Sequence, residues 1–284
     1  MPELTDELLF QAASTSSATT RPRPNEKPAK FLGRLTHLHL NGKQLTGLSF
    51  TPSSLAAINT LYLYDNNLTS FHGLGSLAQL RHLYLQNNSI SSVDAADLSG
   101  LTRLKKLYLN GNCLGSLAPL APLVNLVELH ANNQRLPSGQ LFDVAPHVLE
   151  SMRSLRVLAL ANNGLTSTDG LALCQSLETV DLAKNHLDSL SAVTPLLSAS
   201  PLKELDIRGN AISDSRQHLV RNSALAEPNA AAPPPRLPSP SLSVLSPLSA
   251  HFLARLVPFA TCSGCDHREL PYIELAQRPR ANRE

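Results

Sequence analysis

Thiol and imidazole groups occur close together at Cys262, Cys265 and His267. A Cys-x-x-Cys pair followed by a histidine supplies part of the ligand set of a tetrahedral zinc site. No second pair accompanies it in the sequence, and the alternating strands and helices that surround a redox Cys-x-x-Cys are also missing. We therefore expect loop residues here, with a zinc or redox protein as the less favoured alternative.

Three histidines, His37, His39 and His82, could also meet in space if their segments are neighbours. With no neighbouring cysteine or carboxylate, they do not make a convincing metal ligand set. The sequence also lacks a glycine-rich phosphate loop after a strand and a Ser, Cys or Thr in a nucleophile context. We predict no metal site, no cofactor and no enzymatic activity.

Leucine dominates the composition, with 56 copies among 284 residues and no tryptophan. The pattern L-x-x-L-x-L-x-x-N-x-L recurs along the chain, as in Leu80, Leu83, Leu85, Asn88 and Ile90. Eight units are visible, separated by steps of 22 to 25 residues except for one step of 29. This period is typical of leucine-rich repeats. The second apolar position of the successive units is held by Leu38, Leu61, Leu83, Leu107, Leu129, Leu158, Val180 and Leu205.

Each part of the pattern has a structural reason. In L-x-L, alternate residues point to opposite sides of a short strand, so the leucines face a core and the residue between them faces out. The asparagine can bond backbone groups that the turns leave inside, although Lys43 replaces it in the first unit and Gln134 in the fifth. A coil of about 22 residues leaves room on its outer side only for extended chain, 3₁₀ turns or very short helices.

We therefore predict an α/β fold: a leucine-rich-repeat solenoid with a parallel β-sheet on the concave face, short 3₁₀ or helical segments on the convex face and a helical C-terminal cap. A helical bundle is disfavoured, because the in-phase asparagine would place polar and apolar residues on the same helical face.

Composition divides the chain into four segments. We expect a short helix and a tether in residues 1–30, and the solenoid of about eight repeats in residues 31–224. Residues 225–249 are rich in Pro, Ala and Ser and predict a disordered insertion, and residues 250–284 predict the cap and tail.

The charge and the cysteines limit the class of partner and compartment. The formal net charge is +2, from 24 basic and 22 acidic residues, which is too balanced to indicate nucleic acid or an anionic membrane. The first residues are acidic and lack a secretory apolar run, and no segment is long enough to span a bilayer. Four scattered cysteines fit a reducing compartment, so we expect a cytoplasmic protein.

The outward-facing strand positions form the candidate binding surface. Four of the five tyrosines occupy such positions, and tyrosine gives stiff contact area with a polar tip, which suits a protein interface. Cross-strand stabilisation of the sheet is the alternative explanation for the same tyrosines. The predicted protein-binding residues are His37, His39, Tyr62, Tyr64, His82, Tyr84, Lys106, Tyr108, Glu128, His130, Asp181 and Asp206.

Three segments resemble the leucine-rich regulatory subunits of protein phosphatase 1, which belong to the 22-residue repeat class. They are residues 61–67 (LYLYDNN), residues 82–88 (HLYLQNN) and residues 129–137 (LHANNQRLP), the last followed by Leu141, Phe142 and Asp143. The third segment is the most specific, because its Gln-Arg-Leu-Pro and the longer loop after it depart from the generic repeat in the same way as in that family. The resemblance runs from about Leu35 to Asn210.

The resemblance implies a non-enzymatic regulator that binds the phosphatase 1 catalytic subunit, at a centrosome or on the cytoskeleton. Tubulin or another cytoskeletal protein is a further partner that it implies. Arg255, Val257 and Phe259 match in letters the basic-x-Val-x-Phe motif of many phosphatase 1 regulators, but Pro258 removes a backbone donor where strand pairing would occur. A structural scaffold of a cilium, flagellum or cytoskeleton without a phosphatase role is the alternative function.

Overall fold

The architecture is a stack of coils, each of which contributes one strand to a common sheet. The computed structural model describes residues 3–16 and 21–214. Within these ranges, eight three-residue strands form one parallel sheet, in which strands follow each other in chain order. The strands of the described ranges are β1 (Glu3–Leu4), β2 (His37–His39), β3 (Gly47–Leu48), β4 (Thr60–Tyr62), β5 (His82–Tyr84), β6 (Lys106–Tyr108), β7 (Glu128–His130), β8 (Val157–Ala159), β9 (Thr179–Asp181) and β10 (Glu204–Asp206).

The register of the eight-stranded sheet aligns equivalent repeat positions. Leu61 lies opposite Leu83, and Leu83 lies opposite Leu107. The leucines of the strands are buried in one continuous core, while the residues between them face out. The structure thus confirms the predicted α/β leucine-rich-repeat solenoid with its parallel sheet.

Between the strands of the main sheet, the coils of the described residues carry only short helical segments, because few residues remain in each coil after the strand and its turns; the longer helix α1 precedes the first coil. The helices are α1 (Asp6–Ser16), α2 (Pro28–Leu32), α3 (Ala95–Ser99), α4 (Pro146–Ser151), α5 (Thr194–Ala199) and α6 (Ala211–Asp214), and 3₁₀ turns span Pro52–Leu55, Leu74–Ser76, Ala118–Leu120, Leu171–Leu173 and Leu190–Ala192. Neighbouring coils approach closely here, since a Cβ added at Gly100 would lie 1.8 Å from the carbonyl oxygen of Gly75.

A buried asparagine ladder joins each coil to the one before it. In Asn88, the side-chain Nδ2 donates to the carbonyl oxygens of Leu63 and Leu85, and Oδ1 accepts from the amide of Leu68. Gln134, which departs from the repeat pattern, does the same work: its Oε1 accepts from the amide of one coil and its Nε2 donates to a carbonyl oxygen. The ladder residues are Asn66, Asn88, Asn112, Gln134, Asn163, Asn185 and Asn210.

The chain leaves every strand of the sheet through a residue in the left-handed backbone region. Asn, Asp and Gly tolerate this region best, which explains the residue that precedes each ladder position. Gly111 shows the constraint most clearly, because an added Cβ would lie 2.6 Å from Oδ1 of Asn87. Lys184 is the exception to the residue preference. The eight positions are Gly42, Asp65, Asn87, Gly111, Asn133, Asn162, Lys184 and Gly209.

The N-terminal residues share the core of the first coil. Leu4 and Leu9 are buried, and strand β1 pairs in parallel with β3 in a separate two-stranded sheet. Helix α2 follows, and the Arg34 guanidinium pairs with Glu26 beside it.

Several sequence predictions fall outside the described residues. These are the proline-rich insertion at 225–249, the cap and tail at 250–284, the Arg255–Phe259 motif, and Cys262 with Cys265. In the ranges that the structure covers, no helix is both long enough and apolar enough to cross a bilayer.

Candidate functional site

Five aromatic rings form a continuous stack across the middle of the concave face. Each coil contributes one ring, from the residue between the two leucines of its L-x-L motif. Adjacent ring centroids are 4.2 to 4.6 Å apart. The planes are nearly parallel, with angles between 3° and 16°. We call this stack the ring ladder. Its members are His39, Tyr62, Tyr84, Tyr108 and His130.

The strand register produces this stack. Parallel strands lie about 4.8 Å apart, which is close to the stacking distance of aromatic rings. His39 pairs with Tyr62, Tyr62 with Tyr84, and the pairing continues to His130. Since all five residues are partly exposed, the ladder presents ring edges and polar tips on the open face rather than forming part of the core.

Glu128 holds one end of the ring ladder in place. Its Oε1 accepts from the Tyr108 hydroxyl at 2.5 Å and lies 2.9 Å from Nε2 of His130. Its Oε2 lies 2.6 Å from the Lys106 ammonium. The carboxylate therefore fixes two ladder rings and neutralises the lysine beside them.

The pKa values follow from these contacts. Burial would raise the pKa of Glu128, but hydrogen bonds from Lys106, Tyr108 and His130 outweigh it and lower that pKa to about 2. Burial, followed by the bond to Glu128, raises the pKa of the Tyr108 hydroxyl, so this group stays a donor at neutral pH. Burial also lowers the pKa of His39, and the His37 ring adds to that shift.

The C-terminal end of the face is acidic. Burial raises the pKa of Asp181, and the neighbouring Asp206 carboxylate raises it further. Asp206 itself pairs with Arg208, with an N–O distance of 2.6 Å, and these bonds outweigh burial and lower its pKa. Between this end and the ring ladder stands Ala159, which leaves the ladder without a sixth ring.

Other predicted site residues lie beside the ladder. His37 and His82 occupy the preceding outward column, where their Nδ1 atoms lie 3.0 and 3.3 Å from threonine hydroxyls. Tyr64 is half-buried but follows β4 and is not stacked in the ring ladder. The hub role of Glu128 is not visible from the sequence, where it is only one acidic residue of a column. The signal in the sequence that could have indicated it is the placement of Lys106, Tyr108 and His130 at positions of the outward columns next to Glu128.

The histidines of this face are not arranged as a set of metal ligands. In the described part of the chain, no group of three or more His, Cys, Asp or Glu residues is placed to hold an ion. His37 and His82 instead lie against threonine hydroxyls, and His39 stacks on Tyr62.

Comparisons with known proteins agree with this architecture. A family model described as Leucine Rich repeats (2 copies) matches residues 78–122, and one described as Leucine Rich repeat matches residues 151–174 and 198–215. These matches agree with the fold, which is a leucine-rich-repeat solenoid. Proteins of this class are typically binding scaffolds that use their extended concave surface.

Curated proteins with similar sequences share the repeats but are longer. Podocan of Mus musculus is 30% identical over 187 residues, which cover 62% of this chain and 29% of podocan. Transforming growth factor beta activator LRRC32 of Mus musculus is 34% identical over 173 residues, covering 56% of this chain and 25% of that protein. The matched region thus spans less than a third of either relative. Among solved structures, internalin C2 of Listeria monocytogenes str. 4b F2365 superimposes with a TM-score of 0.57 at 24% identity, covering 73% of this chain and 86% of internalin C2.

Proposed function

We propose that this chain is a non-catalytic module that docks a partner protein on its concave Tyr/His face. The observation that carries the proposal is the ring ladder, five aligned rings that no other part of the described chain covers. Aromatic side chains are enriched where proteins bind, because they give large contact area at little entropic cost. Stacking and the Glu128 contacts pre-order the rings, which reduces that cost further.

The partner that we propose is the catalytic subunit of protein phosphatase 1. Support comes from the sequence resemblance to leucine-rich regulators of that enzyme, and most narrowly to protein phosphatase 1 regulatory subunit 42, in residues 129–137 and the longer loop after them. The module would act by occupying and shaping the phosphatase surface in the cytoplasm, at a centrosome or on microtubules. The ladder would contact the phosphatase, and the acidic end at Asp181 and Asp206 would select the orientation.

A binding assay with two matched variants tests this function. The first variant changes Tyr62, Tyr84 and Tyr108 to Phe, which keeps the rings stacked but removes the hydroxyls; the second changes the same three residues to Ala. We expect the Phe variant to bind purified phosphatase 1 catalytic subunit at most about tenfold more weakly than the wild type. The Ala variant should lose more than about a hundredfold in affinity, because aromatic hot spots usually contribute much of the binding energy. Circular dichroism establishes that each variant is folded at the assay temperature. Full binding by a folded Ala variant would refute the site.

Two further arms separate the alternatives. Changing Val257 and Phe259 to Ala in the full chain removes the motif outside the described residues. Loss of phosphatase binding in that variant alone would move the docking site to the C-terminal segment. Co-sedimentation of the wild-type chain with microtubules, without any affinity for the phosphatase, would favour the cytoskeletal scaffold with tubulin as partner.

A further inference from the structure

Positive charge is concentrated along one edge of the main sheet, where the chain enters each strand. The residue before each strand bonds its backbone to the equivalent residue of the next coil: the amide of Lys105 donates to the carbonyl oxygen of Arg81, and the same contact joins Val127, Arg156, Glu178 and Lys203 in turn. Successive members of this row are therefore separated by about one strand spacing, ~4.8 Å.

We call this row and its turn residues the basic edge. All of its cationic side chains are exposed, and within the described ranges Glu178 is the carboxylate that forms salt bridges with them, to both Arg156 and Lys203. No carboxylate of the described chain pairs with Arg81 or Arg153, while Arg103 and Lys105 bond only neutral oxygens. The cationic residues of the basic edge are Arg81, Arg103, Lys105, Arg153, Arg156 and Lys203.

The opposite edge of the same sheet is chemically different. It is the amide edge, formed by the left-handed column and the asparagine ladder, and most of its residues are Asn, Gly or Gln. Exposed cations stand there mainly as isolated residues such as Lys43 and Lys184. With a net charge of only +2 for the whole chain, the clustering at the basic edge is a local feature and not a consequence of overall composition.

We infer that the basic edge binds an extended acidic peptide segment of a partner protein. From Arg81 to Lys203 there are five strand spacings, about 24 Å, which an extended chain covers with about seven residues. The middle of the edge is apolar, since Val127 is half-buried and the Val124 side chain is exposed. The matching ligand therefore carries carboxylates at both ends and an apolar residue at its centre.

This apolar centre distinguishes a peptide from other anionic ligands. Single-stranded nucleic acid is normally held by aromatic platforms beside the charges, and within the described chain the aromatic rings of the sheet lie in the concave columns rather than along this edge. A row only one side chain deep also matches one extended strand better than a broad membrane surface. The surface is separate from the ring ladder, so the inference does not depend on phosphatase binding.

A labelled peptide tests the inference with the full chain. The probe is a fluorescein-labelled heptapeptide with two glutamates at each end and a central leucine flanked by glycines, and fluorescence anisotropy measures its affinity. We expect Arg81→Glu combined with Lys105→Glu to weaken binding at least about tenfold, since two attractions become repulsions. Raising the salt from about 50 to 200 mM should weaken wild-type binding, because exposed charges are screened.

The matched control makes the same change of charge at the amide edge. Lys43→Glu combined with Lys184→Glu should change the affinity less than about twofold, because these residues follow their strands and so lie on the opposite edge of the sheet from the peptide. Equal losses in both double variants would overturn the inference, as would no detectable binding of the peptide to the wild-type chain. Tighter binding of a uridine dodecamer or of phosphatidylserine vesicles than of the peptide would also overturn it. Should the charge-reversed variant fail to fold, Arg81→Gln with Lys105→Gln applies the same test.

The ring ladder provides the arm that separates this inference from the proposed function. The variant with Tyr62, Tyr84 and Tyr108 changed to Ala should bind the peptide like the wild type. Loss of peptide binding in that variant would place the peptide on the concave face and overturn the assignment to the basic edge.

Discussion

Removing one member of the asparagine ladder should weaken the whole stack, and Asn112 is the clearest case. Its side chain is fully buried, with 0% exposure. Oδ1 accepts from the amide of Ile90 at 3.0 Å, and Nδ2 donates to the carbonyl oxygens of Leu85 and Leu109 at 2.9 and 2.8 Å. Both carbonyl oxygens also accept from a neighbouring ladder residue, so Asn112→Ala leaves only the Ile90 amide without any partner.

The loss of stability follows from this accounting. An orphaned buried amide costs about 1–3 kcal/mol, and each weakened carbonyl adds about 0.5 kcal/mol, so Asn112→Ala should lower the free energy of unfolding by about 3 kcal/mol. Urea unfolding followed by far-UV circular dichroism measures it. Asn112→Leu, which fills similar space, should lose about as much, because the loss lies in hydrogen bonds.

The exposed residue after a ladder position gives the control. Asn67 directly follows Asn66, and its side chain is exposed. Asn67→Ala should change the free energy of unfolding by less than about 0.5 kcal/mol. A loss below about 1 kcal/mol for Asn112→Ala, or an equal loss for Asn67→Ala, would refute the role assigned to the ladder.

Three further changes test the electrostatics and the backbone. The pKa of Glu128 is lowered from 4.5 to about 2, so its network stabilises the fold above pH ~4.5, and this contribution is lost as the pH falls through about 2. Glu128→Gln should therefore lower the free energy of unfolding at pH 7 and make that free energy fall less steeply in acid. The raised pKa of Asp181 has the opposite sign, so Asp181→Asn should stabilise the protein at pH 7, and the gain should vanish in acid where the wild-type carboxyl is also neutral. Lys184 has a φ of 56°, and Lys184→Asn should raise the free energy of unfolding by about 1 kcal/mol, because asparagine accepts the left-handed conformation more readily. Denaturant titrations across pH measure all three.

The periodic part of the structure could be predicted from the sequence. A residue between two leucines at a fixed period must face out of a strand, and equivalent residues of adjacent coils must be neighbours. The period and the alternation together predict that Tyr62, Tyr84 and Tyr108 are neighbours, and they also predict buried asparagines at equivalent positions of successive coils. The stacking of the rings follows from the strand spacing once the register is fixed.

Features that depend on particular side-chain reach could not be predicted. Gln134 looks like a break in the repeat, yet its longer side chain reaches both a neighbouring amide and a carbonyl oxygen. Glu128 gains three partners, two from the adjacent strand β6 and one from its own strand, which no single-strand pattern encodes. The pairing of β1 with β3 joins segments of two residues each, too short to carry any periodicity.

The basic edge escaped the sequence reasoning for a different reason. Its residues stand at variable positions of the repeat, so they look like scattered surface charges until the coils are stacked. The near-zero net charge also conceals them, because acidic residues elsewhere balance the total. The stacking of the coils therefore brings basic residues that are scattered in the sequence into one row on the surface.

Docking on the ring ladder is the central claim, and hydroxyl-radical footprinting of the complex tests it most directly. Oxidation of Tyr62 and Tyr84 should slow when the phosphatase 1 catalytic subunit is bound. Leu141 and Leu173, with 67% and 46% exposure outside the ladder, should oxidise at unchanged rates. Protection of the two leucines with no change at the tyrosines would contradict the claim.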